Sequence, residues 1–516
     1  MAYQIDQKKI AKNTIVLYLR MAFTMVIGFF ATRITLEQLG VEDYGLNNLV
    51  GSIVSMLSFI NGSMGTAVQR YYCVELGKEN SSALKRVFGT GLFLHIFVAL
   101  VTLIIAEIFA IFFLHKMNIP LERMHAAQVV FQVSILSMVL NIVSVPYAAL
   151  LRARELFDKI AVVEIIQAVL RLLILYLLTV INYDKLITLS FLGLGVTAYY
   201  IGSLVFMARK YQETHSAPLF DKELIKQMLS FISMLIMTVL CQLLQTQGLI
   251  MLVNLFYGLV VNAAYAVATQ VSHIVTNFVM NFKQSMIPQM MASYGAKDFK
   301  SMHKIINMGT KVSFLLMLMI SVPAIVEVDF LLKLWLQNPP EHASHLVVLV
   351  MIGINISSFT YFLYQGVHAT GQLKKQQTWM SVLYLVNILI VYIVFKLGGN
   401  FDMALYVNMC ISAIQCVVNV VYARRTFNYP IRTFISSILV PCVFCVTIVV
   451  AVMLGFINYF ESTIARFFAS VVLSESIIML SGYLIVLNQS EKEKVRAIVH
   501  KVFYRKSQTK IIEDAK

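Results

Sequence analysis

Five basic side chains lie inside or at the ends of long apolar stretches of this 516-residue chain: Arg20, Arg33, Arg70, Arg171 and Lys311. An ionisable group is expensive in hydrocarbon, so each marks a place where a polar cargo, water or a compensating charge is expected. One central Arg costs about 3 kcal/mol on insertion, which twenty apolar neighbours at about half a kcal/mol each outweigh. Insertion tolerates these cations but does not explain them. A second pattern is uncharged. Asn262, Gln270, His273, Asn277, Asn281 and Gln284 recur mostly at i+3 or i+4 steps and form one stripe on a helix. Gln242, Gln245 and Gln247 precede it, and Asn47, Asn48, Ser52, Ser55, Ser58 and Asn61 make a similar run nearer the amino terminus. Between membrane spans such a stripe must meet another helix or an aqueous cavity. These groups suit binding and passage. No P-loop, nucleophile elbow or metal-ligand cluster is legible, so the chain does not read as an enzyme and calls for no cofactor.

Each cation has two readings. Arg20 lies seven residues into its span and shares a face with Thr24, Gly28, Ala31 and Thr35, so it either lines water or snorkels about 10 Å to the interface. Arg33 has Glu37 at i+4, which makes an interfacial ion pair the plain alternative. Arg171, the most deeply placed, has Glu164 and Gln167 on its face and either contacts cargo or completes a polar network. Lys311 and Arg70 are near span ends, where snorkelling and ordinary topology account for them as well as cargo contact does. For His273, packing competes with titration.

The elements that must position these residues follow from composition. Hydrophobic residues make up 59% of the chain and charged ones 13%, and the mean hydropathy is +0.78, too apolar for a soluble protein. A net charge of +15 would suggest nucleic acid if the basic residues gathered on one wet face; they fall instead in short clusters between apolar runs, so no nucleic-acid partner is read. Six cysteines give no disulfide framework or zinc spacing, and Cys442 and Cys445 lie inside an apolar run as packing residues. The amino-terminal apolar run is too long for a signal-peptide core and reads as an uncleaved first span.

Spans of about 20 apolar residues are expected at 13–35, 44–67, 87–113, 124–148, 160–181, 186–208, 228–253, 259–282, 305–328, 345–366, 379–398, 403–422, 434–456 and 463–487. Basic residues concentrate in every second connection, among them Lys78, Lys85 and Arg86, then Arg152, Arg154 and Lys159, while the opposite connections are short and tend to be acidic. By the positive-inside rule both termini are cytoplasmic. A segment near residue 75 recurs about 218 positions later, so that Gly40 matches Gly258 and Gly77 matches Gly295. LLRARELFDK similarly matches HATGQLKKQQ. The expected fold is an all-α polytopic membrane protein with about 14 transmembrane helices in two pseudo-symmetric six-helix lobes plus a C-terminal helix pair. Its parts are an N-lobe at 1–208, a cytoplasmic linker at 209–227, a C-lobe at 228–422, two further helices at 423–487 and a tail at 488–516 that reads as a short amphipathic helix on anionic lipid.

That topology resembles the multidrug, oligosaccharidyl-lipid and polysaccharide exporter superfamily. The stretch ATRITLEQLGVEDYGLNNLVGSIVSMLSFINGSMGTAVQRYYCVELGK, with Arg33, Leu39, Gly40, Tyr44, Gly45, Gly65 and Arg70, is similar to the first two helices of bacterial polysaccharide flippases of the O-antigen translocase (Wzx) type. The resemblance implies a flippase in the bacterial cytoplasmic membrane that moves an undecaprenyl-pyrophosphate-linked oligosaccharide by alternating access. A cationic polar cavity between lobes would take the headgroup, amides and hydroxyls would meet the sugar, and Arg70 would receive a phosphate or gate. Membrane lipids, a proton or sodium ion and polysaccharide polymerase machinery are the implied partners. The nearer rival on the same fold is a cation-coupled multidrug antiporter. Such exporters resemble this chain in topology but use an embedded carboxylate in their first helix, where this chain has none. Glu107 and Glu164 are the buried acids that keep coupling open.

Overall fold

The computed structural model describes residues 6–113, 119–181, 183–336, 338–458, 464–493 and 496; the tail beyond these and the side chains of Asn48, Ser52, Ser55 and Ser58 lie outside the described residues. Every regular element among the described residues is helical. In chain order they are α1 (Gln7–Gly77), α2 (Ser81–Phe113), α3 (Met124–Ala153), α4 (Phe157–Leu177), α5 (Lys185–Ala208), α6 (Lys222–Gly295) and α7 (Phe299–Val326). There follow α8 (Val328–Leu336), α9 (Ala343–Ser357), α10 (Tyr361–Thr370), α11 (Lys374–Lys396), α12 (Phe401–Phe427), α13 (Ile431–Phe434), α14 (Val440–Ile457) and α15 (Ile464–Ser481).

At 71 and 74 residues, α1 and α6 are far longer than the roughly 20 residues a bilayer needs. Each is broken at one glycine: Gly40 at φ 73, ψ 175 and Gly258 at φ 77, ψ −169. That backbone region is essentially open to glycine alone. The two glycines are the repeat partners read from the sequence, and they bend their helices in the same way. Just beyond α1 and α6, Glu79 and Lys297 repeat the correspondence with φ 56 at both.

Twelve helices among the described residues are long and apolar enough to cross a membrane, where the sequence reading expects fourteen. The side chains of residues 52–60, inside the span expected at 44–67, lie outside the described residues, and Lys222–Gly295 counts once although Gly258 divides it.

The chain forms two compact units, Met1–Leu240 with Asn281–Met302 and His368–Thr378, and Cys241–Met280 with His303–Val367 and Trp379–Lys516. In the first, a core of Leu46, Val50, Ala127, Phe131, Ile135 and Leu186 ties α1, α3 and α5. In the second, Tyr257, Phe395 and Phe401 stack edgewise at centroid distances of 4.8 and 6.0 Å, and the Tyr257 hydroxyl donates to the Gly399 carbonyl.

One polar tie fixes the Lys185 end of α5. The Asp184 carboxylate accepts from the backbone N–H of Leu186 and Ile187, both at 3.0 Å, and pairs at 2.7 Å with Arg123, which also binds Asp43. Desolvation pushes the Asp184 pKa up, but the Ile187 N–H and the Arg123 guanidinium together outweigh it and hold the carboxyl below its ordinary range. A depressed acid contributes stability that is present above the ordinary carboxylate pKa and lost as pH falls through the lowered value. Asp184→Ala is expected to remove an N-cap worth about 1 kcal/mol. Thermal unfolding in detergent should show a Tm drop at neutral pH that closes as the pH falls below the carboxylate range; a drop independent of pH would assign the effect to packing.

Candidate transport site

Within the first unit, α1, α3, α4 and α5 enclose a cavity of about 730 Å³. Helical spacing builds its wall. Ser134, Ser137 and Asn141 of α3 fall at i, i+3 and i+7 and so share a face. Thr35, Asn47 and Asn61 come from the two segments of α1, and Ser190 and Thr197 from α5. Most of the hydroxyls donate back to their own helix, as Ser137 does to Val133 O and Thr197 to Gly193 O, which leaves their oxygens as acceptors toward the lumen. The Asn61 Oδ1 atom is buried with no hydrogen-bond partner among the described residues.

Arg171 of α4 is the one charged residue lining this cavity among the described residues. Its side chain is exposed, and it makes no hydrogen bond or ion pair among the described residues. The polar network that its spacing suggested does not form among the described residues, where Glu164 instead pairs with another arginine. An uncompensated guanidinium in a membrane helix is stable only where water or an anion meets it.

That other arginine is Arg20. Its Nη1 donates to Glu164 Oε2 at 2.5 Å and its Nη2 to Asn281 Oδ1 at 3.0 Å, so a single fork joins α1, α4 and the second segment of α6. Arg20 is therefore a half-buried crosslink between sequence repeats, and Asn281, the last but one of the polar stripe, is buried beside it.

Further contacts of the same kind lie at the ends of α1 and α6. A Cβ on Gly77 would come within 2.7 Å of the Ala292 carbonyl carbon, and one on Gly295 within 2.8 Å of that of Val74. Val74 and Ala292 stand in the same repeat relation as the glycines, so the two helices cross backbone to backbone in a symmetric way. Beside this crossing, Arg70 is 8% exposed and donates from Nε to His368 O at 2.9 Å and from Nη2 to Ala369 O at 3.1 Å, capping the last turn of α10. Gly371, at φ 78, leaves room for the guanidinium, since its Cβ would lie 2.5 Å from Nη2. Gln289 of α6 reaches in the opposite sense, donating to Glu155 Oε2 at 2.9 Å.

The remaining predicted residues are placed as follows. Arg33 pairs with Glu37 at 2.8 Å on an exposed surface, with 77% of its side chain exposed. Lys311 is 1% exposed and bonds Glu491 at 3.0 Å, which fastens α7 to the chain after α15; it neither snorkels nor lines the cavity described above. Gln242 is exposed, and Gln245 reaches Asn408 at 3.4 Å. Gln270, His273 and Asn277 are exposed along one face of α6. Of the acids read as coupling candidates, Glu107 accepts from Gln132 and Glu164 from Arg20. The lining residues that sequence reasoning missed are Ser134, Ser137, Asn141, Ser190 and Thr197; the i, i+3, i+7 spacing on α3 is the signal that could have found the first three.

The geometry meets an independent comparison with known families. The MatE family model matches residues 19–177 and again 230–393, more than half of the chain. The chain belongs to the MatE family. No curated protein matches it in sequence. Among solved structures it is similar to a MATE protein in the bent conformation, with a TM-score of 0.66 and 14% identity over 82% of this chain and 95% of that one. It is similar also to an outward-facing multidrug resistance MATE family transporter of the MOP superfamily, with a TM-score of 0.64 and 11% identity over 81% of this chain and 94% of that one. A third likeness is to a MOP superfamily transporter from Pyrococcus furiosus whose binding pocket is described as of reverse polarity, suggesting a different function; there the TM-score is 0.67 at 12% identity, over 81% and 95% of the two chains. At these identities the likeness is one of fold. The MatE protein is thus a multi-pass membrane protein of a transporter family and not an enzyme, and the Wzx-type specificity expected from residues 30–90 is a narrower statement than the MatE match supports.

Proposed function

We propose that this MatE protein is a cation-coupled exporter of the multidrug type that works by alternating access and whose cavity prefers anionic amphiphiles. The family match and the fold similarity to MATE transporters support export. The observation that carries the substrate preference is Arg171, a guanidinium without a partner among the described residues in a cavity lined otherwise by amides, hydroxyls and apolar groups. A cationic drug would meet like charge there and, among the described residues, no carboxylate; an anion would gain charge-assisted hydrogen bonds. Glu164 is the carboxylate best placed to carry coupling, since it holds the Arg20 guanidinium in the fork that also binds Asn281.

The test is transport by the purified full chain in liposomes under an imposed pH or sodium gradient. An anionic amphiphilic dye is expected to move at least tenfold faster than a cationic one of similar size, and Glu164→Gln is expected to transport without responding to the gradient. Faster movement of the cationic dye would overturn the preference.

The same observation favours a second reading, in which the anion is the pyrophosphate of an undecaprenyl-linked oligosaccharide in a bacterial cytoplasmic membrane and a polysaccharide polymerase takes the product. Deleting the gene separates the two. Loss of a surface glycan with unchanged drug susceptibility favours the flippase, and the converse favours the drug exporter.

A further inference from the structure

On the other side of α4 and α5 from the polar cavity lies a shallow, largely open groove of about 650 Å³, lined by Leu170, Leu173, Tyr176, Leu177, Leu192 and Val196 and almost wholly apolar. Three of these are widely open outward: Leu173 is 56% exposed, Tyr176 55% and Leu177 46%. The two spaces share a wall residue, Ile174, which lines both. On α5 the partition is thinner still. Gly193 lines the polar side and Gly195 the apolar side, two residues and so about half a turn apart. At both, the position a Cβ would take has no atom within 4 Å. Ile174 and the glycine-bearing stretch of α5 therefore border both an apolar groove and a cationic, hydroxyl-lined chamber.

We propose that this groove seats the hydrocarbon chain of an anionic membrane lipid whose headgroup reaches Arg171. The inference rests on the reading that the cavity takes an anionic amphiphile, and it adds where the tail goes. Apolar surface alone does not choose an occupant within a bilayer, because lipid chains are as apolar as the leucines of the groove. The choice comes from the head, for which Arg171 supplies the complementary charge. A tail drawn into the wet chamber would lose hydrophobic free energy with every methylene, whereas a groove meeting the chamber at Ile174 lets the head enter water while the tail stays in an oily surrounding. The glycines make this geometry possible, because any side chain at position 193 or 195 would thicken the partition or fill one of the two spaces.

The experiment uses the full chain in phosphatidylcholine nanodiscs doped with either phosphatidylglycerol or phosphatidylcholine carrying a diazirine on the acyl chain. After illumination, labelling of residues 170–177 and 192–196 is expected to be at least fivefold greater from the anionic probe. Arg171→Gln is expected to bring it down to the zwitterionic level, and Arg171→Lys to retain most of it. Gly195→Trp, which fills the groove, is expected to reduce labelling from both probes. Equal labelling from the two probes, unchanged by Arg171→Gln, overturns the proposal and leaves only annular lipid. That result does not touch the dye preference measured in liposomes, so failure of the tail site and failure of the functional reading are distinguishable.

Discussion

Replacing Arg171 by glutamine is expected to lower the affinity of the MatE protein for an anionic amphiphile by roughly 10- to 100-fold, because a hydrogen bond to a charged group contributes about 1.5 to 3 kcal/mol and each 1.4 kcal/mol is tenfold. The side chain has no partner among the described residues to be orphaned by the change, so folding should be untouched or improved. This separates Arg171 from the other embedded cations. Arg20→Gln would strand Glu164, and Lys311→Gln would strand Glu491, each in a buried or half-buried site. Those variants should lose expression or Tm along with transport. Initial rates in liposomes against dye concentration, read with Tm for each variant, decide the matter. A normal KM for the anionic dye in Arg171→Gln would remove Arg171 from the substrate site.

Alanine at Gly77 or Gly295 is the second large effect. Each new methyl would overlap backbone of the opposing helix, which no rotamer change relieves, so α1 and α6 must move apart where they cross. Overpacking of this kind costs about 1 to 3 kcal/mol, enough to shift an equilibrium between joined and parted ends by roughly 5- to 150-fold. The parted state is thereby favoured and cycling slows. A cysteine at Ser285, which is fully buried and whose Oγ lies 2.9 Å from Thr14 Oγ1, reports the change. In a background free of other cysteines its reaction with a water-soluble thiol reagent should rise at least tenfold in either alanine variant. Gly202→Ala, with open space around its Cβ position, should leave the rate unchanged. If Ser285→Cys stays protected in both variants, the glycines serve packing and not a moving contact. Arg70 belongs to the same contact, and its burial against the carbonyls of α10 explains why a residue at a basic helix end is not merely a topological signal.

How much of this was legible beforehand depends on how far apart the interacting residues are in the chain. Membrane character, the helical class and the repeat at an offset near 218 are properties of composition and one-dimensional spacing, and they are readable because lipid imposes them residue by residue. Gly40 and Gly258 are a clear instance, since an offset alone paired two positions that share one rare backbone conformation. The packing of residues 41–77 shows the opposite, since Leu46 and Val50 share a core with Phe131, Ile135 and Leu186, partners that no local spacing names.

The sequence by itself determined a helical membrane protein of two related halves, with a handful of cations where hydrocarbon makes them costly. Only the tertiary structure decided which cations are spent on structure and which stand free. Arg20 meets Glu164 across 144 positions, Lys311 meets Glu491 across 180 and Arg70 meets carbonyls across 298, so no local spacing encodes the pairings. Arg171 is distinguished by having no such partner among the described residues. The reason is physical: hydrophobic burial depends on one residue and its solvent, whereas compensation of a charge depends on two groups brought within about 3 Å by the whole fold.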